Sequence, residues 1–276
     1  GLWANTEGTE NVAISGNGSL YKNTTGSQNI AIGAASLYNN ETGNYNIAIG
    51  RSSLYSNTAS NNVGIGHESL RSNTTGSNNT GSGYRSLYSN TTASNNTSIG
   101  SYAGYANTTG SRNIAIGKTA YDWADTENDN MGIGYNALGG PISGGEYNIA
   151  IGNYSLDANT SGDYNVAVGY NSLTANTAAS YVTALGGNTL KANTTGSGNT
   201  AVGTNAMESN TTGASNTVMG WNALVTNTTG SNNLAMGVNT MFYNTTGYKN
   251  VALGDYGLWS NTEGMENVAI SGNSSL

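Results

Sequence analysis

The chain has 276 residues, among them 40 glycines, one proline and no cysteine, and carries a formal net charge of −7 from 15 acidic and eight basic side chains. Lack of cysteine removes disulfides and thiolate metal sites, scarcity of Lys and Arg leaves no basic surface for a nucleic-acid backbone, and no run of about 18 apolar residues offers a membrane span. Charged residues make up only 8 % of the chain, but 36 % are hydrophobic and recur at fixed places, which argues against a disordered linker.

Reading from the amino end, one phrase repeats. Segments of the type N-x-A-x-G begin at positions 11, 29, 46, 62, 79, 96, 113, 130, 148, 165, 182, 199, 216, 233, 250 and 267, and only Val182 breaks the Asn column. The steps are 17 residues, apart from two of 18 and one of 16. Sixteen units fill the chain, so a single continuous array over residues 1–276 is expected.

Within each unit the Asn is followed by an aliphatic or Thr, a small residue, a second aliphatic and Gly. Ile30, Ala31 and Ile32, or Ile114, Ala115 and Ile116, show the period of two that marks a short strand. The alternation predicts that the two aliphatic columns point into the core and the small column away from it, where it would allow close approach of a neighbouring chain or sheet. Four residues after the Gly comes a Leu column (Leu37, Leu54, Leu70, Leu87, Leu156, Leu173, Leu190, Leu224), with Met207 and Met241 as substitutes. The turn phrase NTTG follows, so each unit reads as a coil of two short strands and tight turns. Helix is disfavoured by the Gly, Asn and Thr content. One coil orders too much backbone for the little apolar surface it buries, so coils must stack and share hydrogen bonds. The fold expected is all-β, a parallel β-solenoid (β-roll) of about 16 coils with a 17-residue repeat.

A longer period overlies the short one. GLWANTEGTENVAISGNGSL (Gly1 to Leu20) returns as GLWSNTEGMENVAISGNSSL (Gly257 to Leu276), and both copies carry AISG in place of AIG. This predicts one 256-residue period of a longer array plus an overlap. The start at Gly1, with no methionine or signal-like apolar run, reads as a processed protein or an excerpt.

The segments NIAIG (Asn46 to Gly50), NVAVG (Asn165 to Gly169) and NVALG (Asn250 to Gly254) resemble the repeats of trimeric autotransporter adhesin heads. The full NTTGSxNxAIGxxxL unit resembles repeat regions of phage-type tail fibres and large bacterial surface proteins. The resemblance implies a left-handed roll, often trimeric, that is extracellular or on the cell surface and adhesive. It carries over no active-site residue. The coil here is longer than the adhesin-head coil.

Candidate functional residues fall in columns. The turn Asn residues (Asn23, Asn40, Asn57, Asn73, Asn90, Asn107, Asn159, Asn176, Asn193, Asn210, Asn227, Asn244) are expected to form an amide ladder from coil to coil. Eight of them lie in Asn-Thr-Thr, a formal glycosylation acceptor, and that reading competes. Aromatic stripes run after the Leu column (Trp3, Tyr21, Tyr38, Tyr55, Tyr88, Tyr105, Phe242, Trp259) and before the Asn column (Tyr147, Tyr164, Tyr181), as structural ladders or as contacts to a chain or a glycan. Asp122, Asp125, Glu127 and Asp129 supply oxygen ligands for calcium but lack the Asp-x-Asp-x-Asp-Gly pattern, so an irregular loop, with Pro141 just beyond it, is the competing reading. His67, alone of its kind, reads as a solvated surface residue. No enzyme and no cofactor are expected. The leading expectation is an extracellular fibre protein that assembles with copies of itself; a receptor- or glycan-binding adhesin or tail-fibre module comes second and an ice-binding solenoid third.

Overall fold

The computed structural model describes residues 1–15 and 17–270. The AISG irregularity and the last part of the repeated chain end therefore fall partly outside the described residues. The chain divides into two compact units, Gly1–Gly139 and Gly140–Leu276. The first holds β1 (Val12–Ile14), β2 (Ile30–Ile32), β3 (Ile47–Ile49), β4 (Val63–Ile65), β5 (Thr80–Ser82), β6 (Thr97–Ile99), β7 (Ile114–Ile116) and β8 (Met131–Ile133). The second holds β9 (Ile149–Ile151), β10 (Val166–Val168), β11 (Thr183–Leu185), β12 (Thr200–Val202), β13 (Thr217–Met219), β14 (Leu234–Met236), β15 (Val251–Leu253) and β16 (Val268–Ile270). Within each unit every strand pairs in parallel with the next, column on column, as Ile30, Ala31 and Ile32 pair with Ile47, Ala48 and Ile49. One strand per coil and a spacing of about 17 residues define a parallel β-solenoid, with no helix among the described residues.

The inward and outward faces are the reverse of the expectation. Ala31, Ala48, Ala115, Ala150, Ala167 and Ala201 are buried, whereas the flanking aliphatics are half-buried or exposed, Ile49, Ile65 and Ile99 among them. The interior of the coil is narrow: the column holds Gly, Ala or Ser in every described coil except at Val218. A Cβ added to Gly64 would already lie 2.5 Å from Ser53 Oγ and 3.1 Å from Leu54 Cγ. The small column thus packs on the Leu column inside the same solenoid, and Leu20, Leu37, Leu54, Leu70 and Leu87 form one buried cluster with Ala31 and Ala48.

Among the described residues no coil has the second strand that was expected. Around the Leu column the backbone turns left-handed: Ala35 and Leu37 sit at φ 57° and 47°, and Tyr45, just before the Asn, at 58°. Each such residue costs roughly 1–2 kcal/mol. The cost is offset by bonds to adjacent coils: Ala35 N–H donates to Asn17 O at 2.8 Å, Leu37 N–H to Ser53 O at 3.0 Å and Tyr45 N–H to Ser27 O at 3.1 Å. Gly33 shows why Gly ends the strand. Its φ is +124°, and a Cβ there would stand 2.8 Å from the Gly50 carbonyl of the next coil.

Candidate functional site

The turn asparagines form the ladder read from the sequence. Asn73 Nδ2 donates to Asn57 Oδ1 at 2.7 Å and to its own turn carbonyl, Gly76 O, at 2.8 Å; Asn90 repeats the pattern onto Asn73 Oδ1 at 2.6 Å. In the second unit Asn176, Asn193, Asn210, Asn227 and Asn244 each donate to the Asn one coil back, at 2.7–3.2 Å. All eight Asn-Thr-Thr asparagines are fully buried, so an attached glycan has no room in this fold. The first Thr of the pair is engaged too: Thr74 Oγ1 donates to Thr91 O and Thr211 Oγ1 to Thr228 O, both at 3.0 Å. That hydroxyl serves the stack rather than an outward array of the kind ice binding needs.

A second ladder, whose column was visible in the sequence but read only as the start of a strand, runs beside the first. Asn46 N–H donates to Asn29 Oδ1 at 2.9 Å, and Asn46 Nδ2 to Ala59 O at 2.8 Å. Most turn carbonyls so receive amides from both ladders, as Gly26 O does from Asn23 and Asn11, both at 2.8 Å. A third, outer ladder joins Asn171, Asn188, Asn205, Asn222 and Asn239 at 3.0–3.5 Å. Its members all have positive φ, a conformation Asn tolerates well.

The irregular coil repairs its own defect. Ala124 replaces the ladder Asn and leaves Asn107 Oδ1 buried without a partner. One turn earlier, Tyr121 stands in the Leu column, fully buried, and its hydroxyl donates to Glu127 O at 3.0 Å. That carbonyl corresponds to the one the missing amide would have bonded. Glu127 Oε2 accepts the Asp125 and Thr126 N–H groups at 3.1 and 3.0 Å, and Arg112 holds Asp129 through Nε and Nη2 at 2.6 and 2.7 Å. The hydrogen bond and charge of Arg112 hold the Asp129 carboxyl below its usual range, against a smaller opposing effect of burial. The four acidic residues therefore do not converge on a cation, and among the described residues no group of three His, Cys, Asp or Glu side chains could hold one.

The aromatic stripes are stacks. Trp3, Tyr21, Tyr38 and Tyr55 follow one another with ring centroids 6.3, 5.0 and 5.2 Å apart and planes within 14° of parallel. Arg71 bridges the coil between Tyr55 and Tyr88, its guanidinium 5.5 Å from the first ring and 5.8 Å from the second, and Tyr88 stacks on Tyr105 at 5.4 Å. Tyr147, Tyr164 and Tyr181 stack at 4.8 and 5.3 Å, and Phe242 stacks on Trp259 at 4.7 Å. Along these stripes ring faces are thus turned toward one another. Burial, with the neighbouring Tyr147 and Tyr181, raises the Tyr164 phenol. His67 stacks on Tyr84 at 5.5 Å, beside Glu68. Burial pushes the Glu68 carboxyl up, but Arg85 at 2.7 Å, with His67 and Arg71, outweighs it and leaves the carboxyl below its usual range.

The largest feature missed at sequence level is the outward face of the strands. In the first unit its two columns carry Val12, Ile30, Ile47, Val63, Ile114 and Met131, and Ile14, Ile32, Ile49, Ile65, Ile99, Ile116 and Ile133. Neither column holds a charged residue in either unit. The signal was present as the aliphatic alternation itself, assigned to the wrong side. Soluble monomers rarely expose apolar patches above roughly 300–600 Å². Here thirteen apolar side chains line the face of one unit, five of them exposed, Ile14 at 59 %, Ile65 at 40 % and Ile99 at 44 % among them, and the other eight half-buried. Fold and surface together define a parallel β-solenoid with internal asparagine ladders and an apolar outer sheet face. No protein-family model and no curated protein matches the chain.

Proposed function

We propose that the chain is a non-enzymatic structural protein that assembles with copies of itself through the outward strand faces, forming an adhesive extracellular fibre. The observation that carries this reading is the charge-free aliphatic face. A stable interface buries roughly 800 Å² per partner, and thirteen apolar side chains on one unit offer a patch toward that size. A second copy is the fitting occupant because its own face repeats with the same coil rise, so ridges and grooves match along the whole contact. The extracellular setting rests on the resemblance to adhesin heads and tail fibres. Sedimentation of the chain tests the reading: a discrete oligomer is expected, and Ile49→Asp with Ile65→Asp should convert it to a folded monomer. A monomer at tens of micromolar with the native face intact would overturn it.

A second reading, glycan binding, is favoured by one groove of about 590 Å³ in the first unit, lined by Trp3, Tyr21 and Tyr38 with Asn17, Arg51 and Ser52. Trp3 is 79 % exposed and stacks on Tyr21, so an aromatic ring lies at the groove. Glycan-array binding lost in Trp3→Ala would support it.

A further inference from the structure

The cations of the first unit gather on one edge of the coil. Lys22, Arg51, Arg71, Arg85 and Lys118 all stand one or two residues after the strand-ending Gly or the Leu column, where only Glu68 and Asp122 carry negative charge. That edge has a formal surplus of three positive charges in a chain of net charge −7. The unit's six other acids, with Arg112, lie in the turns or directly before the Asn column. In the second unit the same columns hold one cation, Lys191, and Glu208 pairs with it at 3.6 Å. Contacts between coils make the first unit's edge continuous. Glu68 N–H donates to Arg51 O at 2.9 Å and Arg85 N–H to His67 O at 3.0 Å, which places Arg51, Arg71 and Arg85 on three successive coils. Arg85 lies 5.3 Å from both the Tyr84 and Tyr88 rings, beside Arg71 on the other side of Tyr88. The one carboxylate among them, Glu68, answers Arg85 at 2.7 Å, Arg71 at 3.7 Å and His67 at 3.9 Å. Arg51 and Lys118 are exposed and have no carboxylate within ion-pair distance among the described residues.

We infer that this edge binds an acidic polysaccharide, one bearing carboxylate or sulfate groups, laid along the coil axis; the inference rests on the glycan reading above and names the class of glycan. The faces of Tyr55 and Tyr88 are taken up by neighbouring rings and by Arg71, so recognition here falls to charge and hydrogen bonding rather than to stacking on a sugar. Arg supplies a planar fork of donors suited to oxyanions. Coils rise about 4.8 Å, so cations recur once per coil from Arg51 to Arg85 and again two coils on at Lys118. A polysaccharide charged once per sugar or per disaccharide meets them in turn. Duplex DNA, with a charge every ~1.7 Å, brings several phosphates for each cation and is repelled by the rest of an acidic chain. Charges act over about 8 Å at physiological salt, so a ligand on this edge responds to these cations ahead of the total of −7.

Biolayer interferometry of the full chain on immobilised heparin, polygalacturonate, neutral dextran and oligo-dT tests this assignment. Heparin or polygalacturonate should bind more tightly than dextran and oligo-dT, and more weakly as salt rises. Arg51→Gln with Lys118→Gln breaks no ion pair of the fold and should weaken that binding about tenfold, through the loss of two exposed ion pairs with the ligand. Lys191→Gln with Lys249→Gln removes the same charge from the second unit and should leave it unchanged. Equal losses in the two variants, or oligo-dT bound as tightly as either acidic polysaccharide, would overturn the edge as a polysaccharide site. Dextran bound as well as the acidic polymers, with binding lost in Trp3→Ala, would overturn this inference and leave the glycan reading standing. Binding to none of the polysaccharides would overturn both.

Discussion

Restoring the repeat consensus at Tyr121 and Ala124 tests whether the two substitutions compensate each other. Tyr121→Leu alone removes the phenol that bonds Glu127 O and accepts from Asn130 Nδ2 at 3.2 Å. It also opens a small void. The hydrogen-bond loss costs about 1–2 kcal/mol and a void of about 30 Å³ adds ~0.7 kcal/mol. Ala124→Asn alone forces an amide toward the carbonyl the phenol already occupies, an overpacking cost of about 1–3 kcal/mol. Together the changes rebuild a regular coil, and the new amide donates to Asn107 Oδ1, now buried without a partner. The double variant is therefore expected to be at least as stable as the native chain, with a coupling on the order of 3 kcal/mol between the two sites. Because stacked coils open locally, native-state hydrogen exchange of the amides from 107 to 130 is the suitable assay. Single effects that simply add would refute the argument that the phenol replaces the ladder amide.

The remaining predictions follow from the same geometry. Val182→Asn completes the second ladder, where Val182 N–H already donates to Asn165 Oδ1 at 3.0 Å, and should slow exchange of neighbouring amides by a stabilisation of about 1 kcal/mol. Asn73→Ala removes donors and acceptors from both adjacent rungs and should cost roughly 2–4 kcal/mol in the same assay. Ala167→Ile, pointing inward, should destabilise by about 1–3 kcal/mol or more, whereas Val166→Ile, pointing outward, should be near neutral; equal effects would restore the opposite assignment of faces. Asp129 titrates below its usual range because of Arg112, so this pair contributes stability above the unfolded-state pKa that is lost as pH falls through the lower folded-state value. Arg112→Gln should therefore flatten the acid limb of a stability-against-pH curve while changing stability at neutral pH by under about 1 kcal/mol.

The repeat length, the solenoid class and the turn ladder were all legible in the residues. Each depends only on spacing: 17 residues return to the same place, and an amide that returns there must meet its own copy. A three-residue alternation, by contrast, shows that Ile30 and Ala31 face opposite ways without showing which way is in. The choice depends on the width of the coil, set where Leu54 and Ser53 close against Gly64, and that contact exists only once the chain has wound. Tyr121 and Ala124 are likewise two unrelated departures along the chain, and only folding brings the phenol to the carbonyl the amide left. The sequence by itself determined that this protein stacks coils on asparagine; the tertiary structure decided that alanine lies inside and isoleucine out, because the narrow interior is filled by the Leu column and leaves room chiefly for small side chains.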